Sequence, residues 1–177
     1  FTPTTALIQL SRNELDELDR NVNDLEDFLN YMGIECKLSM EKLPDGSKEL
    51  YFVFKNRKVA FLENASSGTL SLFNFYIRFL MSNKESSILY FDGFDAFFHF
   101  ELSEKIIQYI KEKYKDSLVI FTTHNTNLMS NKIMRPDTLF ILSISGKLTP
   151  LCKATDRELR EGHNLGKLYM NGEFDED

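Results

Sequence analysis

Three polar clusters, spaced along an otherwise apolar pattern, carry residue types that could handle a phosphate ester. The first is Asn64-Ala-Ser66-Ser67-Gly68-Thr69. Small residues allow close backbone approach to a ligand, and the amides that open a helix point toward anions. The hydroxyls of Ser66, Ser67 and Thr69 can donate to phosphate oxygens. Taken alone, the same string is also an ordinary serine cap on the following helix. The second cluster follows the apolar run Ile88-Leu-Tyr-Phe91 and begins with Asp92, continuing through Asp95 to His99. A carboxylate at the end of a buried strand is costly unless something satisfies it. A hydrated Mg²⁺ would do so, because that ion is held through few carboxylates and its substrate's phosphates. Capping the next helix is the alternative for Asp92, and helix-start roles are equally open to Asp95 and His99. The third cluster closes the run Leu118-Val-Ile-Phe-Thr-Thr with His124. A lone histidine is more commonly a satisfied structural residue than a catalyst.

The elements that must position these residues follow from periodicity. Leu15, Leu18, Val22, Leu25, Leu29 and Met32 recur three and four apart, predicting a helix over 11–32 that stops at Gly33. This narrow seam suits the root of a coiled coil or a helix packed on its own domain. Alternation at Ile34, Cys36, Leu38 and Met40, then Pro44-Asp-Gly-Ser and Glu49–Phe54, predicts a hairpin, with Val59–Leu62 as a further strand after Asn56-Arg57. Beyond residue 64 the pattern alternates helix 67–82, strand 87–92, helix 100–115 and strand 117–122, with a short helix after Asn125. Such alternation implies a parallel sheet covered by helices. Thr138–Ser143 and Lys147–Leu151 predict a second hairpin, and a charged helix is expected from Thr155 to Met170, ahead of an acidic tail.

The totals narrow the classes. A chain of 177 residues can bury one substantial core, and sixteen Phe with no Trp predict an aromatic one. A net charge of −6 argues against a protein that coats nucleic acid, though not against a local basic patch. Cys36 and Cys152 lack metal-type spacing and read as buried free thiols of a reducing, cytoplasmic compartment. No apolar run reaches the length of a membrane span.

In this order, Ser-Ser-Gly-Thr, then Asp after a strand, then His after a strand, the motifs resemble the carboxyl-terminal half of an ABC-type ATPase head. The similarity is to heads of SMC-like repair proteins and phage-defence ATPases, and it spans about residues 34–172. It implies an α/β, P-loop NTPase half-domain: a parallel sheet flanked by helices, with a small antiparallel hairpin and an amino-terminal helix. Residues 1–33 would be a lid or coiled-coil root, and 34–177 the head lobe. By the same resemblance Ser66, Ser67, Gly68 and Thr69 match the signature that touches ATP held by an opposite subunit. Asp92 matches the Mg²⁺ residue and His124 the γ-phosphate switch. His99 falls where many relatives carry a nucleotide-loop Asp. The closing string Arg160-Glu-Gly-His163-Asn-Leu-Gly-Lys-Leu-Tyr169 resembles that of defence-type ATPases but suggests no chemistry.

The sequence departs from the family after Asp92, where relatives carry the Glu that activates water. Gly93 can do no acid–base work, and Asp95 is the nearest substitute. Slow or partner-dependent hydrolysis is therefore expected, with a scaffold lacking turnover as the alternative and a metal-dependent phosphoesterase using Asp92, Asp95 and His99 as a weaker one. A phosphate-cradling Gly-x-x-x-x-Gly-Lys-Ser/Thr loop does not occur, and Gly146-Lys147 lacks the preceding glycine. The chain, opening on Phe1, reads as a fragment whose phosphate loop is supplied by an amino-terminal half. The resemblance further implies a homodimer or higher oligomer closed around ATP, gating an effector nuclease or toxin in phage defence or DNA maintenance, with DNA as a further ligand.

Overall fold

The computed structural model describes residues 10–81, 88–96, 98–115, 117–160 and 162–174. Ser82, Ser87 and the acidic tail over 175–177, which the sequence placed at element ends, lie outside them. The chain divides into two compact units, with the boundary between residues 87 and 88.

In the first unit, α1 (Arg12–Arg20) and α2 (Val22–Tyr31) replace the single helix expected over 11–32. Ser11 and Glu14 start α1 with a reciprocal capping box: the Glu14 amide donates to Ser11 Oγ at 3.3 Å, and the Ser11 amide to Glu14 Oε2 at 2.6 Å. The break falls at Asn21, whose side-chain amide donates to the Glu17 carbonyl at 2.7 Å and so competes with the helical ladder. The apolar seam survives the break, with Leu18, Leu25, Leu29 and Met32 all buried. Three antiparallel strands follow: β1 (Leu38–Lys42), β2 (Lys48–Phe54) and β3 (Arg57–Ala60), in that order. Register pairs Met40 with Leu50 and Phe52 with Val59. After the single-turn helix α3 (Phe61–Asn64), α4 (Ser67–Met81) runs against both α1 and α2. Aromatic rings fill the space: Phe61 lies 4.7 Å from Phe52 and 5.1 Å from Phe73, and Phe28 lies 5.3 Å from Tyr76. Tyr76 buries its ring while its hydroxyl reaches Asp24 Oδ2 at 2.9 Å.

Lys48 on β2 reaches Asp16 and Asp19 on α1, both at 2.7 Å. Its hydrogen bond and charge hold the Asp16 carboxyl below the usual aspartate value. That tie is complete at neutral pH and is lost as pH falls through the lowered value.

In the second unit, β4 (Ile88–Phe91) and β5 (Leu118–Phe121) pair in parallel, with Phe91 opposite Phe121. The connection between them is α5 (Phe100–Lys113), which buries Ile106, Ile107 and Ile110. Phe121 packs against Phe94 at 4.6 Å and Phe91 at 5.7 Å. On the opposite face of the same two strands, Ile88, Tyr90, Leu118 and Ile120 are 41–62% exposed. A 3-10 turn, Thr126–Leu128, forms the short helix expected after Asn125. Then β6 (Phe140–Leu142) and β7 (Leu148–Pro150) make the second hairpin.

The charged helix expected from Thr155 is much shorter: α6 spans only Leu165–Met170. Asn164 caps it by accepting the Lys167 amide at 2.9 Å. Upstream, His163 Nδ1 takes the Arg160 amide, which a continuous helix would give to a backbone carbonyl, and this favours irregular chain there. A core of Ile141, Leu151, Ala154, Leu165 and Phe174 holds this end together. Among the described residues no helix is long and apolar enough to cross a membrane.

The cysteines differ from the expectation of two buried thiols, since Cys152 is exposed and Cys36 half-buried. Burial, with the nearby Glu26 carboxylate adding to it, pushes the Cys36 thiol up to about 11. Timed iodoacetamide labelling at pH 8, read by mass spectrometry, should therefore modify Cys152 well before Cys36. Phe61 is fully buried between two rings, so Phe61→Ala should cost about 3–5 kcal/mol in urea denaturation.

Candidate functional site

Parallel pairing in register brings the carboxyl ends of β4 and β5 side by side, the edge where open α/β sheets bind ligands. The chain leaves β4 through Asp92-Gly-Phe-Asp95 and leaves β5 through Thr122-Thr-His124. Hydroxyls from the second exit meet carboxylates from the first. Thr122 Oγ1 donates to Asp92 Oδ1 at 2.5 Å and accepts the Gly93 amide at 2.7 Å. Thr123 Oγ1 donates to Asp95 Oδ2 at 2.7 Å and accepts the Asn125 amide at 2.9 Å. Backbone bonds extend the tie, from the Thr122 amide to the Phe91 carbonyl at 2.9 Å and from the Phe94 amide to the Thr122 carbonyl at 3.3 Å. Asp92 is exposed, so its carboxylate stands at the rim, open to solvent, with one oxygen held by Thr122.

Asp92, Asp95 and the turn bearing His124 are thus drawn to one rim. His124 itself is exposed. His99 sits at the far end of the loop, as the cap of α5: its carbonyl accepts the Leu102 and Ser103 amides at 3.0 Å, and its exposed imidazole makes no capping bond. In the first unit, Ser66 Oγ accepts the Thr69 amide at 3.1 Å and lies 2.9 Å from Thr69 Oγ1. Ser66 and Thr69 are therefore engaged with each other at the start of α4, and Thr69 is buried. Ser66, Ser67 and Gly68 are all exposed, and of these Ser67 and Gly68 take no part in the Ser66–Thr69 pairing.

Gly93 has φ +54°. A Cβ there would meet open space, so what favours glycine is the left-handed backbone rather than crowding. The residue after Asp92 thus occupies a turn whose backbone disfavours an L side chain.

Mg²⁺ is the metal the resemblance implies, and the donor set can be tested against it. Among the described residues there is no group of three or more His, Cys, Asp or Glu able to hold a metal ion. A cage made wholly of protein, as a phosphoesterase would use, does not fit. A single exposed carboxylate with a free oxygen does fit an ion bound mainly through water and substrate phosphates.

Three residues absent from the sequence-based site emerge from the geometry. Thr122 and Thr123 had a visible signal, a hydroxyl doublet where an apolar strand stops. Gly166 did not stand out. A Cβ on it would lie 2.5 Å from the Thr126 carbonyl oxygen, so α6 approaches the turn after His124 as closely as a glycine allows. This gives the closing Asn-Leu-x-x-x-Tyr segment a structural task, buttressing that turn.

The architecture, a mixed α/β chain with a parallel pair, antiparallel hairpins and flanking helices, is similar to that of solved SMC ATPase heads. One solved structure, described under ATP-driven dimerization and DNA-stimulated activation of SMC ATPases, aligns with TM-score 0.53 at 19% identity. It covers 80% of this chain and 89% of that one. The Smc head domain with coiled coil and joint from Pyrococcus yayanosii aligns with TM-score 0.54 at 16% identity, covering 89% of this chain but 29% of that one. The family model described as "AAA domain, putative AbiEii toxin, Type IV TA system" matches residues 7–130, and the chain belongs to that family. Comparison with curated proteins gave no match.

Gly166→Ala should lower the melting temperature by several degrees and perturb the NMR resonances of 124–128, because the carbonyl it meets is backbone and must shift. Gly93→Ala should cost about 1–2 kcal/mol, and Gly93→Asn less, measured by urea denaturation.

Proposed function

We propose that this chain is the carboxyl-terminal lobe of an ATP-binding head that closes as a homodimer or higher oligomer around MgATP. The observation that carries the reading is the rim itself, where Asp92 and Asp95 are each held by a threonine from the strand end that leads to His124. Asp92 would hold Mg²⁺, which when bound neutralises charge on the phosphates. His124 would donate a hydrogen bond to the γ-phosphate. Ser67, Gly68 and the amides opening α4 would face the nucleotide of an opposite subunit, with Ser66 and Thr69 shaping the turn that presents them. His99 would lie beside the nucleotide at the start of α5. In hydrolysis, water attacks the γ-phosphorus, the bond to the ADP oxygen breaks, and Asp95 takes the water proton in place of the missing Glu. With Gly93 beside Asp92, turnover is slow or depends on a partner.

The exposed face formed by Ile88, Tyr90, Leu118 and Ile120 supports a second element of the reading. Parallel strands are normally covered on both faces, and two strands alone make a marginal sheet. A lobe that supplies further strands and the phosphate-cradling loop would cover this face. On that view the isolated 177 residues bind ATP weakly, and stoichiometric tight binding of a fluorescent nucleotide by them would overturn the half-head.

The family's description as a putative toxin of a toxin–antitoxin system supports a role in bacterial defence. We assign the head to gating an effector nuclease or toxin, in the cytoplasm, by nucleotide-dependent closure. DNA, which one similar structure's description names as a stimulator of SMC ATPases, is a candidate ligand of the assembled head. The second reading, a nucleotide-sensing scaffold without turnover, is favoured specifically by Gly93.

Light scattering of the complete protein should show its mass doubling with a non-hydrolysable MgATP analogue, and Asp92→Asn or Ser67→Arg should abolish the change. An unchanged mass with the analogue bound would contradict the dimer. Gly93→Glu, with Gly93→Asn as backbone control, separates engine from scaffold: turnover gained only with Glu marks a disabled engine.

A further inference from the structure

Asp95 and His124 lie on different strand exits, yet a single hydroxyl bridges Asp95 to the turn that carries His124. Thr123 Oγ1 gives its proton to Asp95 Oδ2 at 2.7 Å and takes the Asn125 amide at 2.9 Å. The second bond closes a tight turn around His124, the residue between Thr123 and Asn125. That turn runs on without a break: Asn125 Oδ1 accepts the Asn127 amide at 3.1 Å, and the Asn125 carbonyl accepts the Leu128 amide at 3.0 Å. Leu128 is buried, so the turn is anchored at its far end.

A hydroxyl that merely stabilised the turn would need only its acceptor half. Here the donor half is aimed at a carboxylate 28 positions away in sequence, on the loop that leaves the neighbouring strand. Thr123 is exposed, so this bond is not forced by burial of an unpaired group. The neighbouring Thr122 serves Asp92 and the Gly93 amide, which leaves Asp95 to Thr123.

We propose that Thr123 is the positioning residue that sets Asp95 and couples it to His124, so that engagement of a phosphate by the imidazole moves the carboxylate through the shared hydroxyl. The inference rests on the ATP reading of the rim. It makes hydrolysis conditional on the state of the His124 turn, a role for Thr123 that touches no substrate atom.

The test is steady-state ATP hydrolysis and MgATP affinity of the complete protein carrying Thr123→Val, Thr123→Ser, Asp95→Asn and the Val/Asn pair. Thr123→Val should lower kcat by about tenfold or more while KM and nucleotide Kd stay within about threefold. Thr123→Ser, which keeps both bonds, should remain within about threefold of wild type in every constant. In the Asp95→Asn background, Thr123→Val should change kcat by less than about twofold. Full kcat in Thr123→Val, loss in Thr123→Ser equal to that in Val, or losses that multiply in the double variant would each overturn the coupling. An Asp95→Asn variant with full turnover, or a wild type that binds MgATP without ever hydrolysing it, would overturn the coupling but leave the ATP reading intact. A complete protein that binds no MgATP would overturn both.

Discussion

The hydroxyl of Thr122 is the smallest part on which the rim depends. It joins the ends of two parallel strands by giving a proton to Asp92 and receiving one from the Gly93 amide. Because β4 and β5 are only four residues long each, their ladder alone leaves the two exits free to diverge. Side-chain bonds across the exits, repeated one residue later by Thr123 and Asp95, hold the turn and the strand end in one arrangement. The left-handed backbone at Gly93 belongs to the same arrangement, since that amide must face Thr122. A carboxylate is thereby fixed at a solvent-facing edge, where, on the proposed reading, substrate phosphates would complete the coordination of an ion that needs few protein ligands.

Much of this was legible in the amino-acid pattern. The apolar runs ending at Asp92 and His124 are strands in parallel register, as alternation with helices required. The two hairpins fall where Pro44-Asp-Gly-Ser and the short gap between Ser143 and Lys147 placed their turns. Helical seams and strand ends are visible because they repeat or interrupt a period of hydrophobicity.

What escaped was decided by side chains competing for backbone groups. Asn21 divides the first helix by bonding Glu17's carbonyl, while leaving the apolar period undisturbed. His163 takes the Arg160 amide that a helix over 155–164 would need, and Asn164 instead caps the short helix that does form. Gly166 is invisible to periodicity because its reason lies in the Thr126 carbonyl, forty positions away. At the candidate site, the carboxylates and His124 announced themselves by type and place. The threonines beside them showed only as a hydroxyl doublet at a strand end, since a hydroxyl's role is fixed only once its partner across the sheet is known.

Metal replacement at the rim tests the central claim most directly. Cysteine in place of Asp92 offers a thiolate, which prefers soft ions such as Cd²⁺ over Mg²⁺. Nucleotide-dependent closure of the Asp92→Cys protein should fail with Mg²⁺ and return with Cd²⁺, while wild type responds to Mg²⁺. Closure of the variant with Mg²⁺ as strong as in wild type, or no recovery with Cd²⁺, would contradict a metal held by this residue.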